Sequence, residues 1–368
     1  AAGTASPAQI AARVARHVRP DVQRMAAYHV ADATDAIKLD AMESPYHPFA
    51  RFPELSNEWL RLIAQAQIHL YPNPAASGLQ ETLRKAFNIP ESAAIALGNG
   101  SDELIQFMTL LVAQSGATML AVEPSFVMYR HNAELYGMNY VGVPLNEDFT
   151  LDLPAVLSAI EKHQPALIFI AYPNNPTGVC FRREEVEAII RAARGIVVVD
   201  EAYGAFSRDS FLPQAGSIEN LVVMRTISKI GFAGLRIGYA AGSPAVMGEL
   251  AKILPPYNMN QLSLATAKFA LQHHDAIQTT IDILKAERER VFSELSAIGR
   301  LKAFPSEANF ITVRVPDADA LFNTLKENRI LIKKLHGTHP LLAQCARITI
   351  GSPEQNDAVL DIIRKLYA

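Results

Sequence analysis

A lysine set among hydroxyl residues is the feature of this sequence that points most clearly to chemistry. Lys229 lies in the run Arg225–Arg236 (RTISKIGFAGLR), in which Thr226 and Ser228 supply hydroxyls and Arg236 supplies a fork-shaped cation. An amine beside two hydroxyls and a guanidinium could bind an aldehyde at one point and a phosphate at another. The alternative is that Lys229 is a surface lysine that follows a strand.

An acid, a phenol and an amide precede this lysine in the chain. Asp200 ends an apolar run, Tyr203 follows it by three residues, and Asn175 lies in the motif NNPTG. A carboxylate can pair with a protonated pyridine nitrogen, while a phenol and an amide can donate to a ring oxygen. These parts together predict a site for pyridoxal 5′-phosphate, with Lys229 as the residue that binds the aldehyde and later acts as general base. Asp200 could instead cap a helix or a turn.

A glycine-rich motif could hold the phosphate group. The segment Gly98–Glu103 (GNGSDE) opens a predicted helix, where the backbone N–H groups of Gly100, Ser101 and Asp102 would point at an anion and the Ser101 side chain could cap the helix. The carboxylates of Asp102 and Glu103 suit the helix dipole but would repel a phosphate, so we expect both to turn away. Standing alone, the motif could equally be a capped turn.

Several other residues have both a chemical and a structural interpretation. Phe126 could stack on a ligand ring or simply fill the core, and Arg347 could be an exposed arginine on a strand. Tyr71–Pro74 (YPNP) could be only a turn. His336 and His339 have a spacing seen at metal sites, but neither an acidic residue nor a cysteine stands near them, so we predict no metal.

The composition is that of an ordinary soluble enzyme. The chain has 368 residues, 49% of them hydrophobic, and a formal net charge of −3, which predicts two domains and no general attraction to nucleic acid or to membranes. Cys180 and Cys345 are expected to be reduced residues of a cytoplasmic protein. Residues 1–18 predict an amphipathic helix rather than a signal peptide. Polar residues interrupt the apolar stretch Leu104–Val122, so it is not expected to span a membrane.

The pattern from about Glu91 onward is a short apolar run, a polar motif and then a helix, repeated. Runs rich in β-branched residues predict strands buried on both faces, and therefore a mostly parallel sheet flanked by helices in an α/β fold. In such folds ligands bind beyond the carboxyl ends of the strands, where each polar motif falls. The predicted strands are Ala94–Leu97, Met119–Val122, Ala166–Ala171, Ile196–Val199 and Leu221–Met224.

The pattern changes after Leu254–Tyr257 (LPPY). Long helices follow, and then an α+β sequence that runs to the C-terminus, while the extended segment Ile37–Leu39 is expected to pack on this second lobe. We therefore predict a large cofactor-binding domain over 48–289 and a smaller α+β domain built from 1–47 and 290–368.

The motifs taken together resemble one known family over the chain from about Val18 to the C-terminus. They are similar to those of the aspartate-aminotransferase-like enzymes of fold type I, and especially to the histidinol-phosphate aminotransferases. The segments that carry the resemblance are Lys38–Tyr46, Tyr71–Pro74, Gly98–Leu104, Pro173–Gly178, Asp200–Tyr203, Ser228–Arg236 and Arg347–Gly351.

The resemblance implies an enzyme that moves an amino group between L-histidinol phosphate and 2-oxoglutarate in L-histidine biosynthesis, with pyridoxal 5′-phosphate as cofactor. It implies a homodimer with shared sites, in which Tyr71 reaches the cofactor phosphate of the other subunit. It also implies the cofactor-binding residues, namely Lys229 on the aldehyde, Asp200, Tyr203 and Asn175 on the ring edge, Phe126 on the ring face, and Gly100, Ser101, Asp102, Thr226, Ser228 and Arg236 around the phosphate.

The substrate residues are also implied by the resemblance. Arg347, beside Asn175, would hold the α-carboxylate of glutamate in one half-reaction and the phosphate of histidinol phosphate in the other. A phosphate has three strong acceptor oxygens, and Tyr28 and Lys333 would supply further donors. The family often has arginine where Lys333 falls. Tyr28 could instead be a packing residue and Lys333 a solvated strand lysine.

Three other functions fit parts of this pattern. An aromatic amino acid aminotransferase would use the same scaffold, and a phosphothreonine-type decarboxylase would also need a phosphate pocket but would release carbon dioxide. A regulator with a silent aminotransferase-like domain would need an added DNA-binding segment, for which we expect no room before the N-terminal helix.

Overall fold

The computed structural model describes residues 4–73, 75 and 78–368. Within these residues the helices are α1 (Pro7–His17), α2 (Pro20–Arg24), α3 (Pro53–Gln65), α4 (Leu79–Phe87), α5 (Gly100–Val112), α6 (Val127–Leu135), α7 (Leu153–His163), α8 (Arg183–Ala192), α9 (Pro244–Ile253), α10 (Gln261–Gln272), α11 (His274–Ser296), α12 (Ala318–Glu327) and α13 (Pro353–Leu366). The strands are β1 (Ile37–Lys38), β2 (Ala94–Asn99), β3 (Thr118–Glu123), β4 (Asn139–Pro144), β5 (Leu167–Ala171), β6 (Ile196–Asp200), β7 (Leu221–Thr226), β8 (Ile237–Gly242), β9 (Lys302–Ala303), β10 (Phe310–Arg314), β11 (Ile330–Leu331), β12 (Lys333–Lys334) and β13 (Cys345–Thr349).

The central sheet has seven strands among the described residues, in the order β2-β8-β7-β6-β5-β3-β4. All of its neighbouring strands pair in parallel except at β8, which runs antiparallel to both β7 and β2. Because β8 is antiparallel to both of its neighbours, β2 runs parallel to β7. The prediction of an α/β fold with a mostly parallel sheet is confirmed. The carboxyl ends of β2, β3, β5, β6 and β7 meet at one edge, so the polar motifs that follow them are neighbours.

Helices cover both faces of this sheet because its strands are apolar on both sides. All five residues of β5 are buried, and the core divides into two large clusters, one against each face. Local signals fix the helix ends. The side chains of Asp152 and Ser243 cap α7 and α9. In α8, Glu184 and Glu185 in the first turn and Arg191 in the last turn complement the helix dipole.

One close contact brings α5 directly against the sheet. A Cβ atom on Gly238 in β8 would lie 2.6 Å from the carbonyl carbon of Gly100 and 2.7 Å from the amide nitrogen of Ser101. No side chain larger than glycine fits between the strand and the start of α5 without a backbone shift. Gly238 therefore sets how closely the N-terminus of α5 approaches the ends of β7 and β8.

A second, smaller sheet forms near the C-terminus. It is antiparallel, in the order β12-β13-β10-β9, and α11, α12 and α13 contact its strands or one another. Strand β1 pairs in parallel with β11, so the extended segment at Ile37 joins this part of the chain, as predicted. The division into 48–289 and 1–47 with 290–368 stays a prediction, and α11 runs through its C-terminal boundary.

Two strands of the central sheet were missed from the sequence. Strand β4 is half exposed at the sheet edge, and β8 (IGYAAG) is rich in small residues that give no β-branched pattern. The N-terminal helix is shorter than predicted, because α1 begins at Pro7 behind a capping box formed by Ser6 and Gln9. Residues 1–3 and Pro74 lie outside the described residues. Over the described chain, no helix has the length and apolar character that a bilayer crossing requires.

Candidate active site

A cavity of about 120 Å³ opens at the carboxyl edge of the central sheet. It lies where β2, β5, β6 and β7 end, so the residues that line it come from loops far apart in the sequence. The lining residues are Met42, Ser101, Asp102, Phe126, Tyr129, Ala171, Pro173, Asn175, Asp200, Ala202, Tyr203, Thr226, Ser228, Lys229 and Arg236. Most of the predicted cofactor residues are therefore brought together, although they were selected from separate motifs.

Lys229 lies on a short 3₁₀ turn that follows β7. Its Nζ donates a hydrogen bond to the carbonyl oxygen of Ala41 at 3.0 Å and lies 5.7 Å from the centre of the Tyr203 ring. Burial, together with the positive charge of Arg347, lowers the pKa of Lys229 to about 8. An amine with a pKa of about 8 is neutral in roughly a tenth of molecules at pH 7, and the neutral form attacks an aldehyde or accepts a proton.

Hydroxyls and a guanidinium cluster at one end of the cavity. The Thr226 hydroxyl donates to Ser228 Oγ at 2.8 Å, and Arg236 Nη1 donates to the same oxygen at 3.4 Å. Arg236 adopts a left-handed backbone conformation with φ of 55°. This conformation costs a non-glycine residue about 1 kcal/mol. It brings the guanidinium back over the start of α5. These donors could hold a phosphate.

The start of α5 completes this end of the cavity, with two corrections to the sequence analysis. Gly100 already donates its N–H to the Arg236 carbonyl at 3.0 Å, so it contributes space rather than a free donor. Ser101 lies inside the first turn and does not cap the helix, whose N-cap is Asn99. The N–H groups of Ser101 and Asp102 belong to the first turn, where backbone donors have no intrahelical acceptor.

The carboxylate of Asp200, the last residue of β6, also lines the cavity. Its Oδ2 accepts a hydrogen bond from the Tyr129 hydroxyl at 2.5 Å, and its Oδ1 accepts one from the Ala202 N–H at 3.1 Å. Burial raises the pKa of Asp200 to about 6, although both hydrogen bonds act in the opposite direction. A cation at Oδ1, such as a protonated ring nitrogen, would stabilise the ionised form.

Tyr129 is the functional candidate that the sequence analysis missed. It is 1% exposed, its ring stacks on Phe169 with centroids 4.6 Å apart, and it meets the ring of Phe126 edge to face. Tyr129 therefore orients both Asp200 and Phe126. The available signal was its position one helical turn after Phe126 on α6, where both side chains share a face.

Tyr203 and Asn175 lie between Asp200 and the smaller sheet. Burial raises the pKa of Tyr203, so its phenol remains a neutral hydrogen-bond donor. Asn175 Oδ1 accepts a hydrogen bond from Arg347 Nη1 at 2.7 Å, which leaves its amide N–H groups for another partner. Both residues could donate to one oxygen of a ligand ring.

Arg347 is buried, so the alternative of an exposed strand arginine is wrong. It lies on β13 and donates from Nη2 to the carbonyl of Asp40 at 2.9 Å. Among the described residues its Nε–H meets no acceptor. Burial lowers the pKa of Arg347, while Tyr203, Tyr28 and Asp40 oppose that shift. A buried guanidinium with an unused N–H is suited to an incoming anion.

The remaining substrate candidates differ in placement. Lys333 on β12 pairs in register with Arg347, and directly opposed residues of antiparallel strands have their side chains on the same face. Tyr28 is 74% exposed, yet lies near enough to Arg347 to affect the pKa of the guanidinium. Tyr71 is 80% exposed, stacks on Tyr257 with centroids 4.8 Å apart, and does not line the cavity of its own chain.

The donors and acceptors of the cavity fit pyridoxal 5′-phosphate. Hydroxyls, Arg236 and the first turn of α5 supply donors for a phosphate, and the Asp200 carboxylate supplies an acceptor for a protonated ring nitrogen. Lys229 and Phe126 line the same cavity. No group of three or more histidine, cysteine, aspartate or glutamate side chains in the described residues could hold a metal ion.

The raised pKa of Asp200 predicts how the cofactor-free protein responds to pH. The buried Asp200 side chain stabilises the fold when it is protonated. Its contribution to the free energy of unfolding is fully present below the ordinary aspartate pKa of 3.8 and is lost as pH rises through about 6. At pH 8 the Asp200→Asn variant should therefore be more stable than the wild type by about 2–3 kcal/mol. Urea unfolding of both cofactor-free proteins between pH 4 and 8 measures this gap, which should shrink steadily towards pH 4. A gap that does not change with pH would contradict the assignment.

Known proteins resemble this sequence over 95% of its length. The sequence model of the family "Aminotransferase class I and II" matches residues 34–363. The chain is 72% identical over 351 residues to a histidinol-phosphate aminotransferase of Neisseria meningitidis serogroup C, covering 95% of this chain and 96% of that protein. It is 55% identical to the histidinol-phosphate aminotransferase of Chromobacterium violaceum, covering 95% and 98%.

Solved structures show the same architecture. A crystal structure of histidinol-phosphate aminotransferase from Sinorhizobium meliloti, in complex with pyridoxal-5′-phosphate, superposes with a TM-score of 0.83 at 26% identity over 95% of this chain and 98% of that one. A Thermus thermophilus aspartate aminotransferase variant, with a TM-score of 0.77 at 22% identity over 95% and 100%, shares the fold. The chain therefore belongs to the class I and II aminotransferases and, within them, to the histidinol-phosphate aminotransferase family.

Proposed function

We propose that this protein transfers an amino group between L-histidinol phosphate and 2-oxoglutarate in histidine biosynthesis, with pyridoxal 5′-phosphate as its cofactor. One observation carries the substrate assignment. Arg347 is buried with an Nε–H that meets no acceptor within the described part of the chain, and Lys333 pairs in register with it. Two cations side by side exceed the need of a single carboxylate and suit a phosphate.

The cofactor supplies an aldehyde carbon that takes up the amino group and a ring that withdraws electrons from it. The chain supplies the environment of that ring. Asp200, held by Tyr129 and the Ala202 N–H, would keep a proton on the ring nitrogen. Tyr203 and Asn175 would donate to the ring oxygen, Phe126 would cover the ring face, and Thr226, Ser228, Arg236 and the first turn of α5 would hold the phosphate.

Lys229 moves the proton. Its Nζ would remove the proton from the substrate carbon that bears the amino group and would deliver it to the former aldehyde carbon of the cofactor, on the far side of the nitrogen. The pKa of about 8 lets the amine accept and release a proton near neutral pH. Once it has left the aldehyde, the amine has a fixed acceptor in the carbonyl of Ala41 at 3.0 Å. Ala41 therefore keeps the base within the cavity between the two half-reactions.

The substrate anion is held by residues from the other part of the chain. We propose that 48–289 binds the cofactor and that 1–47 with 290–368 binds the substrate, because Arg347, Lys333 and Tyr28 all come from the latter segments. The 2.7 Å hydrogen bond from Arg347 to Asn175 links the proposed substrate-binding segments to the proposed cofactor-binding segment. An anion bound at Arg347 is thus positioned relative to the cofactor ring.

We further propose a homodimer with shared sites. Tyr71 is one of several exposed apolar residues on neighbouring segments, and Gln261 in α10 donates to the carbonyls of Gln67 and Leu70 in the loop that carries it. A side chain that is 80% exposed and absent from its own cavity is free to reach the cofactor phosphate of a second copy. A cytoplasmic location fits the two unpaired cysteines.

Purified protein loaded with pyridoxal 5′-phosphate tests the proposed reaction. We expect 2-oxoglutarate-dependent turnover of histidinol phosphate with a higher specificity constant than for phenylalanine or tyrosine, and no turnover in Lys229→Ala. Preference for the aromatic donors would favour the aromatic aminotransferase instead. Carbon dioxide release without any need for 2-oxoglutarate would indicate the decarboxylase.

Lys333 should discriminate between the two amino donors. Loss of a charge-assisted hydrogen bond of about 1.5–3 kcal/mol should lower the specificity constant of Lys333→Ala for histidinol phosphate by about 10- to 150-fold. The specificity constant for glutamate should fall much less, because Arg347 can still bind its carboxylate. Lys334→Ala is the matched control, since Lys334 points to the opposite face and pairs with Asp319. Equal losses for both donors would remove Lys333 from the phosphate site.

Shared sites predict complementation between two inactive or weakened chains. Tyr71→Phe should bind the cofactor more weakly, and Lys229→Ala should be inactive. A hybrid dimer of the two has one site with both native residues. After subunit exchange at limiting cofactor, the mixture should therefore exceed the mean activity of its parents. Activity equal to that mean, or a fully active monomer in sedimentation, would disprove the shared site.

A further inference from the structure

Asp102 lies in an unexpected place for a residue beside a phosphate site. Its Oδ2 is 3.5 Å from Arg236 Nη2, so the carboxylate faces the guanidinium that is assigned to the cofactor phosphate. The same Nη2 lies 2.5 Å from where a Cβ atom on Gly100 would be, which places the guanidinium directly over the start of α5. The expectation that the Asp102 carboxylate turns away is therefore wrong in the cofactor-free protein.

The neighbouring acidic residue behaves differently. Glu103 Oε2 accepts hydrogen bonds from the backbone N–H and the side-chain amide of Asn99, at 2.5 and 3.1 Å. Glu103 thus satisfies donors at the helix start and does not line the cavity, whereas Asp102 does. Two adjacent carboxylates on one helical turn have separate roles.

The charge of Asp102 also reaches the rest of the cavity. It partly offsets the lowering of the Lys229 pKa and adds to the raising of the Asp200 pKa. Burial is the largest cause of both shifts. A dianionic phosphate beside Arg236 would meet the same negative charge at short range. Either Asp102 gives up its contact with Arg236 when the phosphate arrives, or the two anions share one cation.

We propose that Asp102 is an internal counter-ion that occupies Arg236 in the cofactor-free protein and that the cofactor phosphate displaces. The proposal rests on the cofactor assignment made above. It gives Asp102 two effects. The side chain keeps Arg236 paired before the cofactor binds, and it weakens the binding of any phosphate-bearing ligand, free inorganic phosphate included.

The geometry suits a contact that is readily given up. The side chains of Arg236 and Asp102 are 48% and 52% exposed, and a solvent-screened pair at 3.5 Å is a weak one. Its replacement by a phosphate among Ser228, Thr226 and the α5 amides exchanges one screened contact for several directed ones. The backbone N–H of Asp102 is unaffected by the exchange and can still donate to the phosphate.

Equilibrium titration of the cofactor-free protein tests the counter-ion. Wild type, Asp102→Asn and Glu103→Gln are each titrated with pyridoxal 5′-phosphate and with pyridoxal, which has no phosphate, and binding is followed by absorbance. Removing one negative charge at this range in a partly solvated site should lower the dissociation constant of Asp102→Asn for pyridoxal 5′-phosphate by roughly 3- to 10-fold. Pyridoxal carries no phosphate, so its dissociation constant should change much less in Asp102→Asn and should not change in Glu103→Gln. Inorganic phosphate should compete with the cofactor more strongly in Asp102→Asn than in wild type.

The outcomes separate this proposal from the cofactor assignment. If wild type takes up no pyridoxal 5′-phosphate, the cofactor assignment itself fails. If wild type binds it and Asp102→Asn binds both compounds with equally altered affinity, the change is structural and the counter-ion is disproved. Unchanged or weaker binding of pyridoxal 5′-phosphate by Asp102→Asn also disproves it, as does the same gain in Glu103→Gln.

Discussion

The site depends on one geometric constraint, which is that five strands of the central sheet end at a single edge. Each strand delivers one polar segment to that edge, and none of these segments could form the cavity alone. The reversed strand β8 is essential to this arrangement, because it lets β2 run parallel to β7 while lying one strand further out. Gly238 on β8 then allows α5 to approach so closely that its first turn and the end of β7 face one cavity.

Burial supplies the second common factor. The same enclosure that lowers the pKa of Lys229 raises that of Asp200, so each group is shifted towards its neutral form. A protonated pyridine nitrogen would compensate the Asp200 carboxylate, and a substrate anion would compensate the guanidinium of Arg347. Ligands of this kind would supply the opposite charges that the cofactor-free cavity lacks.

The sequence allowed the parallel sheet and most of the cavity lining to be predicted, because apolar runs and polar motifs alternate along the chain. It did not reveal β8, whose small residues lack a strand pattern, or Tyr129, whose role depends on a carboxylate 71 residues away. The hydrogen bond that the Gly100 N–H makes and the orientation of the Asp102 side chain could not be predicted from the sequence either. Both depend on Arg236 folding back over α5, which a left-handed residue at that position makes possible.

Met42 has a consequence for how such a cavity can change during evolution. It adopts a left-handed conformation with φ of 55°, is 6% exposed, and contributes to the cavity wall beside Tyr203 and Phe310. Its backbone is fixed by others, since its N–H donates to Thr349 and its carbonyl accepts from Asn309. The backbone conformation at residue 42 is thus held by these neighbours and not by the Met42 side chain. Another side chain at this position would change the lining of the pocket, while the neighbouring Ala41 carbonyl could still accept the hydrogen bond from Lys229.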